Sequence, residues 1–312
     1  MITTVLKDID PGELGFCQSH EHLFIRPCPA QAGEAIDCQG KSLEELSLYR
    51  RAGGNAIVDA QPIGTGRDAA VLALLSEQGG VHIIALTGFH KLCFYPNDHW
   101  VFSAPEDKLF RLFTSELTEG MYTDGDGAFP CNQTKVKAGL VKTALDTEGL
   151  TPPYQKLFKA AAAAAKAACR PLMAHIEQGS NPLALADFLE NEGLSPDRVI
   201  FCHLDRAIPD TGVHRELCRR GIYLEYDTIG RPKYHDDIKE LGIITEMLEA
   251  GHGDRLLMGL DTTRTRLRSY GGIPGLCYII EEFIPFLWKN GISEADTRRF
   301  FIENPRLIFD SA

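Results

Sequence analysis

Short apolar runs recur along the chain, separated by longer stretches whose apolar positions follow a helical period. The runs at 15–22, 55–59, 82–87, 137–142, 172–175, 198–203, 222–227 and 256–261 each have the length and composition of a buried strand. Eight such runs with helices between them predict a (β/α)8 TIM barrel of the α/β class. The intervening pattern agrees: 154–168 is rich in alanine, the strongest helix former, and begins just after Thr151-Pro152, a suitable helix start. A long irregular region, 91–105, carries Phe94, Tyr95, Trp100 and Phe102 and reads as a binding loop.

Length and composition narrow the picture. At 312 residues the chain fits one barrel domain spanning 1–312, with no internal repeat and no low-complexity linker. Its 43 acidic and 32 basic side chains give a formal charge of -11, which argues against general nucleic-acid binding. No run approaches the roughly 18 apolar residues of a membrane span, and residues 1–11 lack an apolar leader core, so a cytoplasmic protein without a membrane partner is expected. Nine cysteines, an odd number without a C-x-x-C pair, indicate neither a disulfide framework nor a cysteine zinc site.

Chemistry enters where polar residues fall at strand ends. His20 and His22 alternate at the end of the first run, so in a regular strand they project to one face, with Gln18 behind them. Two imidazoles on one face make a metal-binding edge. Lys142, His175, His203 and Asp261 end the fourth, fifth, sixth and eighth runs. All six therefore belong at the C-terminal mouth of the barrel, where such enzymes place their chemistry.

The segments Ser19-His20-Glu21-His22, Gly139-Leu140-Val141-Lys142, Ala174-His175, Cys202-His203-Leu204-Asp205, Gly259-Leu260-Asp261 and Glu303-Asn304-Pro305 resemble those of the phosphotriesterase-related family of the amidohydrolase superfamily. So does the segment Asn191-Glu192-Gly193-Leu194-Ser195-Pro196-Asp197-Arg198-Val199. The resemblance implies a two-metal site, usually zinc. His20, His22 and Asp261 would hold one divalent ion and His175 and His203 the other. Lys142, carboxylated by carbon dioxide, would bridge both, because a carbamate brings negative charge where an ammonium would be repelled. A hydroxide between the ions would attack the substrate, and Asp261 would take its proton and pass it to the leaving oxygen.

The resemblance leaves the electrophile open among phosphotriesters, lactones and other carboxylic esters. Near Thr228, where phosphotriesterases carry a proton-relaying histidine, none is present. Instead Arg231 and Lys233 follow the seventh run, and Arg264, Arg266, Arg268 and Tyr270 follow the eighth. Basic groups on those two loops are where many barrels grip a phosphate. The cluster is similar to that of the branch hydrolysing phosphorylated sugar lactones, with Lys233 and Arg264 the nearest matches and Arg231, Arg266 and Tyr270 as helpers. Tyr95 and Trp100 could cap a sugar ring or serve as packing anchors. The expected activity is therefore a metal-dependent lactonase that opens a sugar lactone carrying a phosphate, the hydroxide attacking the lactone carbonyl. The alternatives are a phosphotriesterase or a hydrolase of unphosphorylated lactones or carboxylic esters, and a non-catalytic metal-binding protein. The oligomeric state is not fixed by the sequence, a homodimer being one arrangement it permits.

Overall fold

A computed structural model describes residues 1–28 and 35–311. A short hairpin, β1 (Ile2–Thr3) and β2 (Asp8–Ile9), precedes eight strands that pair in parallel in sequence order. These are β3 (Cys17–Glu21), β4 (Ala56–Asp59), β5 (His82–Gly88), β6 (Leu140–Leu145), β7 (Leu172–Ile176), β8 (Val199–Cys202), β9 (Tyr223–Tyr226) and β10 (Leu256–Met258). The Asp261 amide donates to the His20 carbonyl at 3.0 Å, bringing the exit of β10 against β3 and closing the ring. The closure needs a glycine at 259, because a Cβ there would lie 2.8 Å from that same carbonyl oxygen.

Between the strands run α1 (Gln39–Ala52), α2 (Ala69–Gly79), α3 (Trp100–Ser103), α4 (Glu106–Thr118), α5 (Pro152–Ala167) and α6 (Pro182–Asn191). They are followed by α7 (Leu204–Ala207), α8 (Thr211–Arg220), α9 (Asp237–Glu249), α10 (Ile284–Lys289), α11 (Glu294–Arg298) and α12 (Asn304–Phe309). Among the described residues no helix is long and apolar enough to cross a membrane. Period-two alternation splits the strands into two faces. Ala56, Val58, Ile84, Leu86, Leu140, Met173, Ile200 and Leu257 fill the barrel interior. Ile57, Ile83, Val141, Leu172, Phe201 and Leu224 pack outward under the helices. Ile2, Ile9, Leu14, Ile308 and Phe309 join the interior cluster, so the hairpin and α12 stop the N-terminal end and leave the opposite mouth for polar groups. Asn304 secures that closure from a buried position, its amide donating to the carbonyls of Gly253 at 2.9 Å and Leu256 at 2.7 Å.

Two departures from the expected register bear on the mouth. The fourth barrel strand begins at Leu140, not at 137: the Ala138 amide still donates to the Glu116 carbonyl of α4, and contact with β5 starts only with the Gly139 amide, which donates to the Ala85 carbonyl. Lys142 is therefore interior and mid-strand, and Lys137 lies outside the strand. In β3, Gln18 pairs with Ile57 but Glu21 pairs with Asp59, an extra residue that makes a bulge. Gln18 consequently turns outward, its amide donating to the Leu276 carbonyl at 2.8 Å, while His20 and His22 turn inward. Gln18 thus does not stand behind the histidines as strict alternation predicts.

Candidate active site

The mouth encloses a cavity of about 440 Å³ whose wall includes His20, His22, Lys142, His175, His203 and Asp261. The six predicted positions converge. Ring centroids are 5.7 Å apart for His20 and His22, 4.9 Å for His20 and His203, and 4.4 Å for His175 and His203. His22 Nε2 and His20 Nε2 lie 3.6 and 3.8 Å from Asp261 Oδ1, so these three can present ligand atoms to one ion. His203 and Asp261 hold positive φ, 66° and 49°, just beyond their strands. Left-handed backbone at non-glycine residues is uncommon and concentrates where side chains must be aimed.

Three of the four imidazoles, those of His20, His203 and His175, are oriented by a carboxyl group. His20 Nδ1 lies 2.7 Å from Glu225 Oε2, and His203 Nδ1 lies 2.7 Å from Asp227. In both rings Nε2 is thereby the nitrogen left for the cavity. His175 is held the other way round, with Nε2 at 3.1 Å from Glu177 Oε2, which leaves Nδ1. Burial holds the His20 and His203 rings well below the ordinary imidazole range, and it pushes His175 down to about 4 against the pull of Glu177. All three are neutral at pH 7, as ligands must be.

Lys142 is buried, with Nζ 3.4 Å from His20 Nε2 and 3.9 Å from the Met173 sulfur. Among the described residues its amine forms no ion pair with a carboxylate. Burial also pushes Glu225 up to about 8 and Asp227 well above its ordinary value. A centre with three neutral imidazoles, a buried amine lacking an acid partner and carboxyls reluctant to ionise gains by taking in divalent cations, so the donor set fits a metal pair.

Several residues at the site went unnoticed in the sequence. Glu225 and Asp227 alternate in and just beyond β9, a spacing that places both inside the barrel. Arg206, one helical turn after His203, donates to Asp261 Oδ2 at 2.9 Å and to Asp227 Oδ1 at 3.2 Å. His90, Lys91 and Glu177 line the cavity, with Lys91 Nζ 2.6 Å from Glu177 Oε2. Glu21 points out of the barrel and fastens the segment carrying Asp261, accepting from the Leu260 amide at 2.8 Å and the Thr262 hydroxyl at 2.8 Å.

Burial raises Glu21 from 4.5 to about 8, against the pull of those hydrogen bonds. Between these values the native state keeps a proton that the unfolded chain has released, so this residue's contribution to stability falls as pH rises through the window. Urea unfolding at pH 5, 6.5 and 8 should show a shallower decline for Glu21→Gln than for the parent. Parallel declines would mean that Glu21 does not carry the linkage.

The predicted substrate contacts are dispersed. Arg231 donates to Asp261 Oδ2 at 2.5 Å. Arg266 is buried and ties the loop after β9 to that after β10 by donating to the carbonyls of Ile229 and Gly230. Arg264 turns to the rim, donating to the Ala35 carbonyl at 2.8 Å and to Asp37 at 3.2 Å. The Tyr270 hydroxyl receives the Cys38 amide at 2.8 Å. Tyr95 and Trp100 are buried and lie outside the cavity lining: the Tyr95 hydroxyl receives the His90 amide at 2.9 Å and the Trp100 indole donates to the Gly125 carbonyl at 2.7 Å. Lys233 lines a neighbouring cavity of about 680 Å³ together with Arg231 and Arg266, and Thr263 belongs to the walls of both cavities.

Comparison with known proteins agrees with this geometry. The chain is 29% identical to the N-acetyltaurine hydrolase of Homo sapiens, over 98% of this chain and 96% of that protein. It is 28% identical to the phospho-furanose lactonase of Mycoplasmopsis synoviae, over 98% and 91%. The crystal structure of a lactonase from Listeria monocytogenes superposes with a TM-score of 0.91 at 26% identity, covering 100% of this chain and 99% of that one. The model of the phosphotriesterase family matches residues 1–309, and the chain belongs to that family of metal-dependent hydrolases.

Proposed function

We propose that the protein opens a sugar lactone carrying a phosphate, using a pair of divalent ions, zinc in the first instance. His20, His22 and Asp261 would hold one ion, His175 and His203 the other, and a carboxylated Lys142 would join them. Such a pair supplies an activated water at neutral pH and polarises the carbonyl under attack. The chain's own groups do the rest. Glu225, Asp227 and Glu177 fix the rings of His20, His203 and His175, Asp261 accepts and returns the proton, and Arg206 and Arg231 orient the Asp261 carboxylate through Oδ2.

One observation carries the reading. The imidazole, lysine and carboxylate centre shares the Thr263 wall with a second cavity lined by Lys233, Arg231 and Arg266, in a protein of net charge -11. A substrate whose carbonyl lies in the first cavity and whose phosphate lies in the second spans that wall. The phospho-furanose lactonase relative supports this class. The N-acetyltaurine hydrolase relative favours a second reading, hydrolysis of an N-acyl aminosulfonate, which also pairs an acyl carbonyl with a tetrahedral anion.

A pH-indicator assay of phosphorylated lactones, their unphosphorylated counterparts and N-acyl aminosulfonates, run on metal-analysed protein, decides between them. Turnover of the phosphorylated lactone should dominate, and faster turnover of the neutral lactone would reject the phosphate assignment. A charge-assisted contact contributes roughly 1.5 to 3 kcal/mol, so Lys233→Ala should lower kcat/KM for the phosphorylated lactone by about 10- to 150-fold. It should barely alter the neutral one. Arg264→Ala should cost less, because its guanidinium is already engaged by Ala35 and Asp37. Equal losses on both substrates after Lys233→Ala would show support of the fold, not recognition.

A further inference from the structure

We propose that Asp205, His235 and Glu240 form a separate cation site behind the active cavity, taking one divalent ion of the zinc or manganese class. The three come from different elements: Asp205 from α7, His235 from the segment after β9, and Glu240 from the first turn of α9. All are buried, at 3%, 8% and 0% exposure, and each offers a ligand atom within 4.8 Å of the other two. None lines the cavity that holds His20 and Asp261.

The hydrogen bonding within the cluster is incomplete on its carboxylate side. His235 Nε2 lies 2.6 Å from Glu240 Oε2. The other oxygen, Oε1, is fully buried, and no N–H or O–H donor reaches it. The Glu240 carboxyl instead lies against that of Asp205, and burial together with the Asp205 charge pushes Glu240 well above its ordinary value. Asp205 is fixed from behind, Oδ2 accepting the Asp227 and Thr228 amides at 2.9 and 2.6 Å and Oδ1 accepting the Arg206 amide at 3.0 Å. Among the described residues neither carboxylate forms an ion pair with a lysine or arginine.

Two buried carboxylates facing each other are costly unless positive charge lies between them. With a neutral imidazole the cluster carries two negative charges, which one dication cancels. A histidine with two carboxylates suits zinc, manganese or ferrous iron, with positions to spare for water. Such an ion would tie α7, which follows directly on His203, to α9 and to the loop bearing Arg231, Lys233 and Tyr234. The competing arrangement is a proton shared between Glu240 and its neighbours.

Anomalous diffraction separates the two without a variant. Crystals of the full chain soaked separately in Zn²⁺ and Mn²⁺ should show, above each absorption edge, a peak about 2.0–2.2 Å from His235 and from carboxylate oxygens of Asp205 and Glu240. Protein dialysed against metal-free buffer should retain about one more ion per chain than Glu240→Gln or His235→Asn, and those variants should keep the peaks at His20 and His203. No peak at the cluster, with His235 and Glu240 still within hydrogen-bond distance, would overturn the proposal in favour of the shared proton. Equal ion content in parent and variants after dialysis would overturn it too, reducing any peak to an adventitious ion only. Substrate turnover is not a readout here, so the outcome stands apart from the lactonase reading.

Discussion

Replacing Lys142 with methionine should lower hydrolysis to near background, at least about 10³-fold, and lower the divalent metal retained per chain. The side chain is almost wholly buried, and its amine points at His20 without an acid partner. Methionine fills the same space but offers neither an amine to carboxylate nor oxygen donors, so a bridge between two ions would be lost outright. Lys137→Met is the matched control, because Lys137 lies before β6 and outside the cavity. It should leave metal content and turnover within about twofold. The parent should show three extra atoms of density on the Lys142 amine in a metal-loaded crystal. An unmodified amine beside a single ion would reject the bridging role, whatever the activity of the variant.

The two-period and helical patterns made the barrel legible, because β4, β5 and β7 to β10 are apolar runs bounded by turn residues and their lengths match the short strands of a closed ring. The mouth was legible for a different reason. His175, His203 and Asp261 interrupt apolar strand ends with groups that are costly to bury without a purpose. Strand boundaries were less so. Residues 137–139 run into Leu140 and Val141 without a break in the sequence, and the turn of the Ala138 amide toward the Glu116 carbonyl, which sets the strand's start, is a tertiary contact. The bulge in β3 was invisible as well: His-x-His reads as one face whether or not Gln18 shares it, and the face is set by how β3 meets β4.

The orienting carboxyls mark a further boundary. Glu225 and Asp227 alternate within an apolar run, a signal as strong as that of His20 and His22, yet their meaning depends on rings contributed by β3 and by the exit of β8. Basic residues after β9 and β10 share a composition but not a destination. Arg266 braces backbone, Arg231 reaches Asp261, Arg264 meets Asp37, and Lys233 faces the second cavity. Loop side chains of one type are interchangeable in sequence and diverge only when the backbone directs them.

Asp261 supplies the second large effect, because one carboxylate is asked to ligate and to move a proton. Oδ1 faces His20 and His22, whereas Oδ2 is held by Arg206 and Arg231. The division of labour follows from that geometry: one oxygen serves the centre and the other fixes the carboxylate plane. Asp261→Asn keeps the shape and can keep an oxygen toward the histidines, but it removes the charge and the capacity to take a proton. Turnover should fall by about 10² or more, the range for a general acid–base group, with KM little changed. Metal content must be measured on the same samples. If bound metal stays near the parent level while kcat collapses, the proton role stands. If activity per bound metal pair is unchanged, Asp261 acts as a ligand alone and the proton must leave by another group, for which His90 and Glu177 on the cavity wall are the candidates to mutate next.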